Sequence, residues 1–112
     1  MRVIVTAQGP DLSSQVDPRL GRAKFYLVVD TETGSVVAHD NSKNLNAAHG
    51  AGIQAGKDIV ELGAEAVITG QAGPKASAVL SSAGVKICTG AQGTVSDALD
   101  QFKKGGLCED LS

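Results

Sequence analysis

Arg19, Arg22, Lys24, His49 and Lys75 lie in or beside glycine-containing connecting segments of a chain whose formal net charge is −2. Guanidinium and ammonium groups placed beside backbone N–H groups capture anions by charge-assisted hydrogen bonds. The chemistry these residues suggest is recognition of a polyanion. Asp11, Asp17 and Asp40 dilute the positive charge, and pairing of Arg19 and Arg22 with Asp11 and Asp17 would leave them only a loop-holding role. His49 could donate to a bound group or ligate an exposed metal, and equally could cap the helix it opens. His39 reads as a solvated edge residue. Of the two cysteines, Cys88 is expected as a small core residue. Cys108, in the tail, is expected at the opposite edge, too far for a bond that needs Cα atoms within about 7 Å. No Ser-His-Asp order and no carboxylate pair is legible, so the pattern suggests binding rather than turnover, and not an enzyme. Gly50, Gly52 and Gly56 have the wrong spacing and follow no strand, which argues against a dinucleotide site.

These residues must be positioned by regular elements. Arg2 to Ala7 is a β-branched run read as strand one. The long segment Gln8 to Ala23 follows, expected to be functional or mobile because it has little core to pack against. Lys24 to Asp30 and Ser35 to Asp40 read as strands two and three, joined by a hairpin turn with Gly34 where φ is positive. Ala47 to Leu62 reads as helix one, ended by Gly63. Glu65 to Thr69 is strand four. Gly73-Pro74 opens helix two, which stops at Gly84. Val85 to Cys88 is strand five. Thr94 with Asp97 resembles a capping box that starts helix three.

The order βββαβαβα, with two βαβ crossovers and one hairpin, predicts an α/β protein. The architecture expected is a three-layer α/β/α sandwich around a mixed five-stranded sheet of order 3-2-1-4-5, with strand two antiparallel. Residues 1–106 form the single domain and 107–112 a flexible tail. This topology gathers the long loops and all three helix N-termini at the carboxyl edge of the sheet, where open α/β sheets bind ligands. Ordinary helix N-termini carry partial positive charge, so the edge is expected to be a prepared anion site.

The 112 residues suffice for one domain with an aliphatic core, since aromatic residues make up only 3%. The acidic balance and the scarcity of aromatic stacking platforms argue against nucleic-acid binding. No run is long enough for a membrane span, so no membrane partner is expected. With no signal peptide legible, the expected compartment is the cytoplasm.

Four segments carry a resemblance to a known family: Val16-Asp-Pro-Arg-Leu-Gly-Arg-Ala23, Asn44-Leu-Asn-Ala-Ala-His-Gly-Ala-Gly-Ile-Gln-Ala55, Ile68-Thr-Gly-Gln-Ala-Gly-Pro-Lys-Ala76 and Gly90-Ala-Gln-Gly-Thr-Val95. In order and over nearly the whole chain, they resemble the dinitrogenase iron–molybdenum cofactor biosynthesis family, which includes NifX and the C-terminal domain of NifB. The likeness is strongest to small stand-alone members from anaerobes such as sulfate reducers, some of which hold a molybdenum–copper sulfide cluster without covalent ligation. The resemblance implies an RNase H-like fold with the strand order given above. It also implies binding or carriage of an anionic metal–sulfur cluster, of Mo–Cu or Fe–Mo type, with a cluster donor or acceptor protein as partner. Carried over by motif, the cofactor-binding residues are Arg19, Arg22, Asn46, His49, Gly73 and Lys75. Leu20 and Ile53 are candidates for an apolar wall, and His49 is the candidate metal ligand. Many relatives have Cys where this chain has Ala72, so thiolate ligation from that loop is absent.

The leading expectation is therefore a monomeric cluster carrier. The alternatives are binding or sensing of a phosphorylated small molecule at the same edge, and a protein-interaction module.

Overall fold

The computed structural model describes residues 1–41 and 51–104. Its strands are β1 (Arg2–Ala7), β2 (Phe25–Asp30), β3 (Val36–Asp40), β4 (Ala66–Ile68) and β5 (Lys86–Cys88). Its helices are α1 (Ala51–Glu61), α2 (Pro74–Ser82) and α3 (Val95–Lys103), with a short 3-10 turn at Leu20–Arg22. The residues before Ala51 expected to open helix one, and the tail 107–112, lie outside the described residues.

The five strands form one sheet of order β3-β2-β1-β4-β5. β1 pairs antiparallel with β2 and parallel with β4. β2 pairs antiparallel with β3, and β4 parallel with β5. The expected topology is observed.

β1 is the central strand, and every residue after Arg2 in it is buried. A strand covered on both faces reads as a continuous apolar run, which is why Val3-Ile-Val-Thr-Ala7 shows no alternation. Its odd positions Val3, Val5 and Ala7 join Leu27, Ile68 and the α3 residues Val95, Ala98 and Leu99 in one core layer. Ile4 faces the other way, with Tyr26, Val67, Ala55 and Ile59 of α1, and Ala76 and Leu80 of α2. Thus α1 and α2 cover one face and α3 the other. A Cβ on Gly56 would stand 2.8 Å from the Val79 Cβ, so the bare backbone there lets α1 and α2 pack closely.

The segment from Gln8 to Ala23 departs from the expectation of a loop with little core. Val16, Leu20 and Ala23 are buried, Val16 in the α3 layer and the other two in the α1/α2 layer. The backbone is stitched on both sides. The Gln8 amide donates to the Gln15 carbonyl, Val16 to Gly93 and Leu20 to Gln71. Isolated bridges join Ala7 to Val16, Gln15 to Thr94 and Arg19 to Gln71. Val16, Leu20 and Ala23 are spaced four and three residues apart, as on a helix, yet they enter two different layers from a segment broken by Pro18, so their spacing does not reveal the anchoring.

Cys88 is a buried core residue, as expected, and it is also disulfide-bonded, which the sequence reading did not expect. The chain's one other cysteine, Cys108, lies outside the described residues. The expectation that the two could not bond rested on the direction of helix three alone. Four residues beyond Lys104 can reach about 14 Å, and α3 itself is only about 13 Å long. Position at the far end of that helix therefore sets no prohibitive distance.

Candidate anion-binding edge

β1, β3, β4 and β5 all end at the same edge of the sheet, and the first loop crosses that edge between β1 and β2. A buried hydroxyl pair anchors the crossing. The Thr6 hydroxyl lies 2.8 Å from the Asp17 carbonyl and 2.9 Å from the Thr69 hydroxyl, all within the buried interior. The Asp17 amide donates back to the Thr6 carbonyl at 2.9 Å. Asp17 is 7% exposed, and its Oδ1 accepts the Arg19 amide at 3.1 Å, an Asx-type turn that aims the chain at Arg19.

The 3-10 turn that follows is held from beneath. The Tyr26 hydroxyl donates to the Leu20 carbonyl at 3.2 Å, and its buried ring stacks parallel to His39 with centroids 6.2 Å apart. His39 is thus a packing residue rather than a freely solvated one. Its partner Tyr26 lies directly across the hairpin on β2, a cross-strand pairing that single-residue reading of an edge strand does not show. Asn41, fully enclosed, donates from Nδ2 to the Ala23 carbonyl at 2.7 Å, and its amide donates to the Lys24 carbonyl.

These anchors bring Gln8, Asp17, Pro18, Arg19, Arg22 and Lys24 together around a cleft of about 360 Å³. Arg19, Arg22 and Lys24 are all exposed. Among the described residues the ion pair present joins the Met1 ammonium to Glu32 at 3.7 Å, remote from the cleft. Arg19 and Arg22 therefore do not pair with Asp11 or Asp17. Three cations face the cleft against one carboxylate, and that carboxylate is engaged with a backbone amide.

The third loop closes the cleft's flank. The Gln71 amide donates to the Pro18 carbonyl at 2.7 Å, and Leu20 donates to the Gln71 carbonyl. Beyond it, Gly73 adopts φ +77° and opens α2 with no side-chain cap. Pro74 has no N–H, and the amides of Lys75 and Ala76 find no acceptor among the described residues. The first amides of this helix are thus left without a partner among the described residues, as at any uncapped helix start.

The third helix differs from expectation. Thr94 accepts the Asp97 amide while Asp97 accepts the Thr94 amide, a complete capping box. The Val95 and Ser96 amides donate to Ser14 and Leu12 of the first loop. Every N–H of the first turn of α3 has a partner, so this N-terminus offers no anion site. The capping box was legible in the sequence, but the two loop carbonyls were not, because they come from residues some 80 positions away.

Of the residues singled out from the sequence, Arg19 and Arg22 meet in the cleft. Gly73 and Lys75 stand exposed at the start of α2 on the same edge. Ile53 is 39% exposed in the first described turn of α1, available as an apolar wall. Leu20 is 1% exposed and packs inside the α1/α2 layer, so it supports the turn from below instead of lining a surface. Asn46 and His49 lie outside the described residues. Gln8 and Pro18 were missed, since neither type signals binding. Among the described residues no three His, Cys, Asp or Glu side chains converge to hold a metal ion. Nor is any described helix long and apolar enough to cross a membrane.

Residues 1–105 match the family model described as dinitrogenase iron-molybdenum cofactor. The chain belongs to that family. The orange protein of Desulfovibrio gigas, solved in its apo form, is 40% identical, covers 95% of this chain and 89% of its own, and superposes with a TM-score of 0.92. An NMR structure described as a NifB protein from Thermotoga is 38% identical, with 95% and 90% coverage and a TM-score of 0.82. An uncharacterized protein of Methanocaldococcus jannaschii is 25% identical over 97 residues, 85% of this chain and 82% of that protein. The mixed sheet and its flanking helices are thus shared with these family structures.

Proposed function

We propose that residues 1–106 bind and carry an anionic, molybdenum-containing metal–sulfide cluster, of Mo–Cu or Fe–Mo type, as cargo held without covalent ligation. The observation that carries this reading is the cleft whose three cations, Arg19, Arg22 and Lys24, have no ion-pair partner among the described residues. Membership of an iron–molybdenum cofactor family supplies the class of anion. A sulfide-bridged cluster has its metal valences filled by sulfide. The protein then needs to supply donors to the sulfurs, positive charge and a wall that excludes water. The guanidinium groups and the Lys75 and Ala76 amides supply the first two. Ile53 supplies part of the third, and His49 is proposed to donate to a sulfide or bind an exposed metal. Cys88, already in a disulfide, supplies no thiolate. The role is delivery between a donor and an acceptor protein, with no turnover.

The test is purification without air, followed by metal analysis and visible absorption, since metal–sulfide charge transfer is coloured and the chain alone is not. Retention of molybdenum and sulfide, or of added tetrathiomolybdate, is expected. Thermal stabilisation by inorganic phosphate with no retention of tetrathiomolybdate would move the assignment to a phosphorylated ligand.

A further inference from the structure

The two edges of the sheet are treated differently. β5 closes one side with three residues, Lys86–Cys88, and its lysine is exposed. A short edge strand bearing Lys resists pairing with another chain. β3 closes the other side with five residues, Val36-Val-Ala-His-Asp40, and has neither Lys nor Pro nor a bulge in its unbroken register with β2. Val37 is 60% exposed, the largest exposure among the described large apolar side chains, and Ala38 beside it is also exposed. Leu12, from the first loop, adds a further 39%-exposed apolar side chain and lines a hollow with Val36.

Which backbone groups point outward follows from the hydrogen bonds to the hairpin partner. The Ser35 carbonyl accepts from Asp30, and the Asn41 amide donates to Lys24, so the odd residues of β3 face β2. By alternation Val36 and Ala38 direct their N–H and C=O groups to the outer edge.

We propose that this edge pairs antiparallel with β3 of a second copy, about a two-fold axis at Val37, to make a ten-stranded sheet. Val36 then exchanges both backbone bonds with Ala38 of the partner copy, and Ala38 with Val36, giving four hydrogen bonds. Val37 opposes its own counterpart as a non-hydrogen-bonded pair, which brings the most exposed apolar side chains into contact. Ser35 opposes His39, and Gly34 opposes Asp40, so no like charges meet. A self-complementary patch on both copies is what a two-fold dimer requires. The proposal departs from the monomer expected from the sequence, and it leaves the cationic cleft on a different edge of the sheet.

Sedimentation velocity from about 10 µM to about 1 mM, the range of a weak association, tests it on the full chain. Dimer is expected to grow with concentration for the native chain and for Lys86→Ala. Val37→Lys, at an already exposed position, is expected to stay monomeric with unchanged circular dichroism. Register is tested separately. Val37→Cys places two thiols across the axis with Cα atoms about 4.5 Å apart, within disulfide reach. It is expected to cross-link under mild oxidation, whereas Val36→Cys, opposite Ala38, is not. A native chain that is monomeric throughout, or a Val37→Lys variant that dimerises as well as native, overturns the proposal. Cross-linking of Val36→Cys equal to that of Val37→Cys overturns the register.

Discussion

The Pro18 carbonyl and Gly70 are in such close approach that a Cβ on Gly70 would stand 2.7 Å from that oxygen and 2.8 Å from the Pro18 Cα. The same oxygen accepts the Gln71 amide at 2.7 Å. The first and third loops, which flank the cationic cleft, are therefore locked at a contact only glycine permits. Neither partner atom is the movable end of a side chain, so the backbone itself would have to shift.

Gly70→Ala is expected to cost about 1–3 kcal/mol through that overpacking. Each kcal/mol should appear as a fall of roughly 4–8 °C in Tm for a domain of this size. Because the shift displaces Pro18 and Arg19, retention of tetrathiomolybdate should fall with it. A variant as stable as native would show that the loops can separate freely.

Arg22→Ala is expected to weaken anion binding by roughly ten- to a hundredfold, since a charge-assisted contact contributes about 1.5–3 kcal/mol and about 1.4 kcal/mol is tenfold. Arg22→Lys should recover part of this, because an ammonium cannot reproduce the guanidinium fork. Lys103→Ala, at the end of α3 and away from the cleft, is the control. Tetrathiomolybdate retention across a salt series is the measurement. Retention independent of salt, or equal losses from the Arg22 and Lys103 variants, would defeat the anion-edge mechanism.

Thr94→Ala breaks the capping box of α3 and is expected to cost about 0.5–2 kcal/mol of stability. It should leave anion retention unchanged, because the amides of that helix start are already engaged. Urea unfolding read beside the retention assay separates the two effects. Loss of retention without loss of stability would return this helix to the site.

Cys88→Ser is expected to lower stability by about 2–4 kcal/mol, the usual effect of losing a disulfide. Retention of the anion by the folded fraction should persist, since the cleft residues lie in the first loop and its neighbours. Complete loss of metal from a folded variant would point to thiolate ligation.

Asp30 is expected to contribute to the acid limb of stability. Its carboxyl is held below the ordinary value of 3.8, first by the Glu32 amide at 2.9 Å, with the Thr33 amide, the N-terminus and Arg2 acting in the same direction against partial desolvation. A carboxylate whose folded pKa is depressed stabilises the fold above 3.8 and loses that contribution as pH falls through the lower folded value. Asp30→Asn should therefore flatten the acid limb below pH 3.8 in a Tm series, and change its shape little near neutrality. An unchanged acid limb would remove Asp30 from that role.

The hairpin with Gly34, the helix opened by Gly73-Pro74 and the Thr94–Asp97 cap were legible in the chain because each depends on neighbours in sequence, and the strand order followed from the element order and crossover rules. Period, turn residues and capping pairs act over a few positions, and the handedness of βαβ crossovers then leaves few topologies. The carboxyl edge and its cations followed from that topology. The sequence motifs alone also pointed to the iron–molybdenum cofactor family. Which cations stay unpaired, which helix start keeps its donors, and how Leu20 turns inward were decided only by tertiary packing. Those outcomes depend on contacts between residues far apart in the chain: Thr6 with Thr69, Pro18 with Gly70, and Leu12 and Ser14 with the first turn of α3. Local propensity carries no information about such partners, because they meet only after the sheet has brought its loops to one edge.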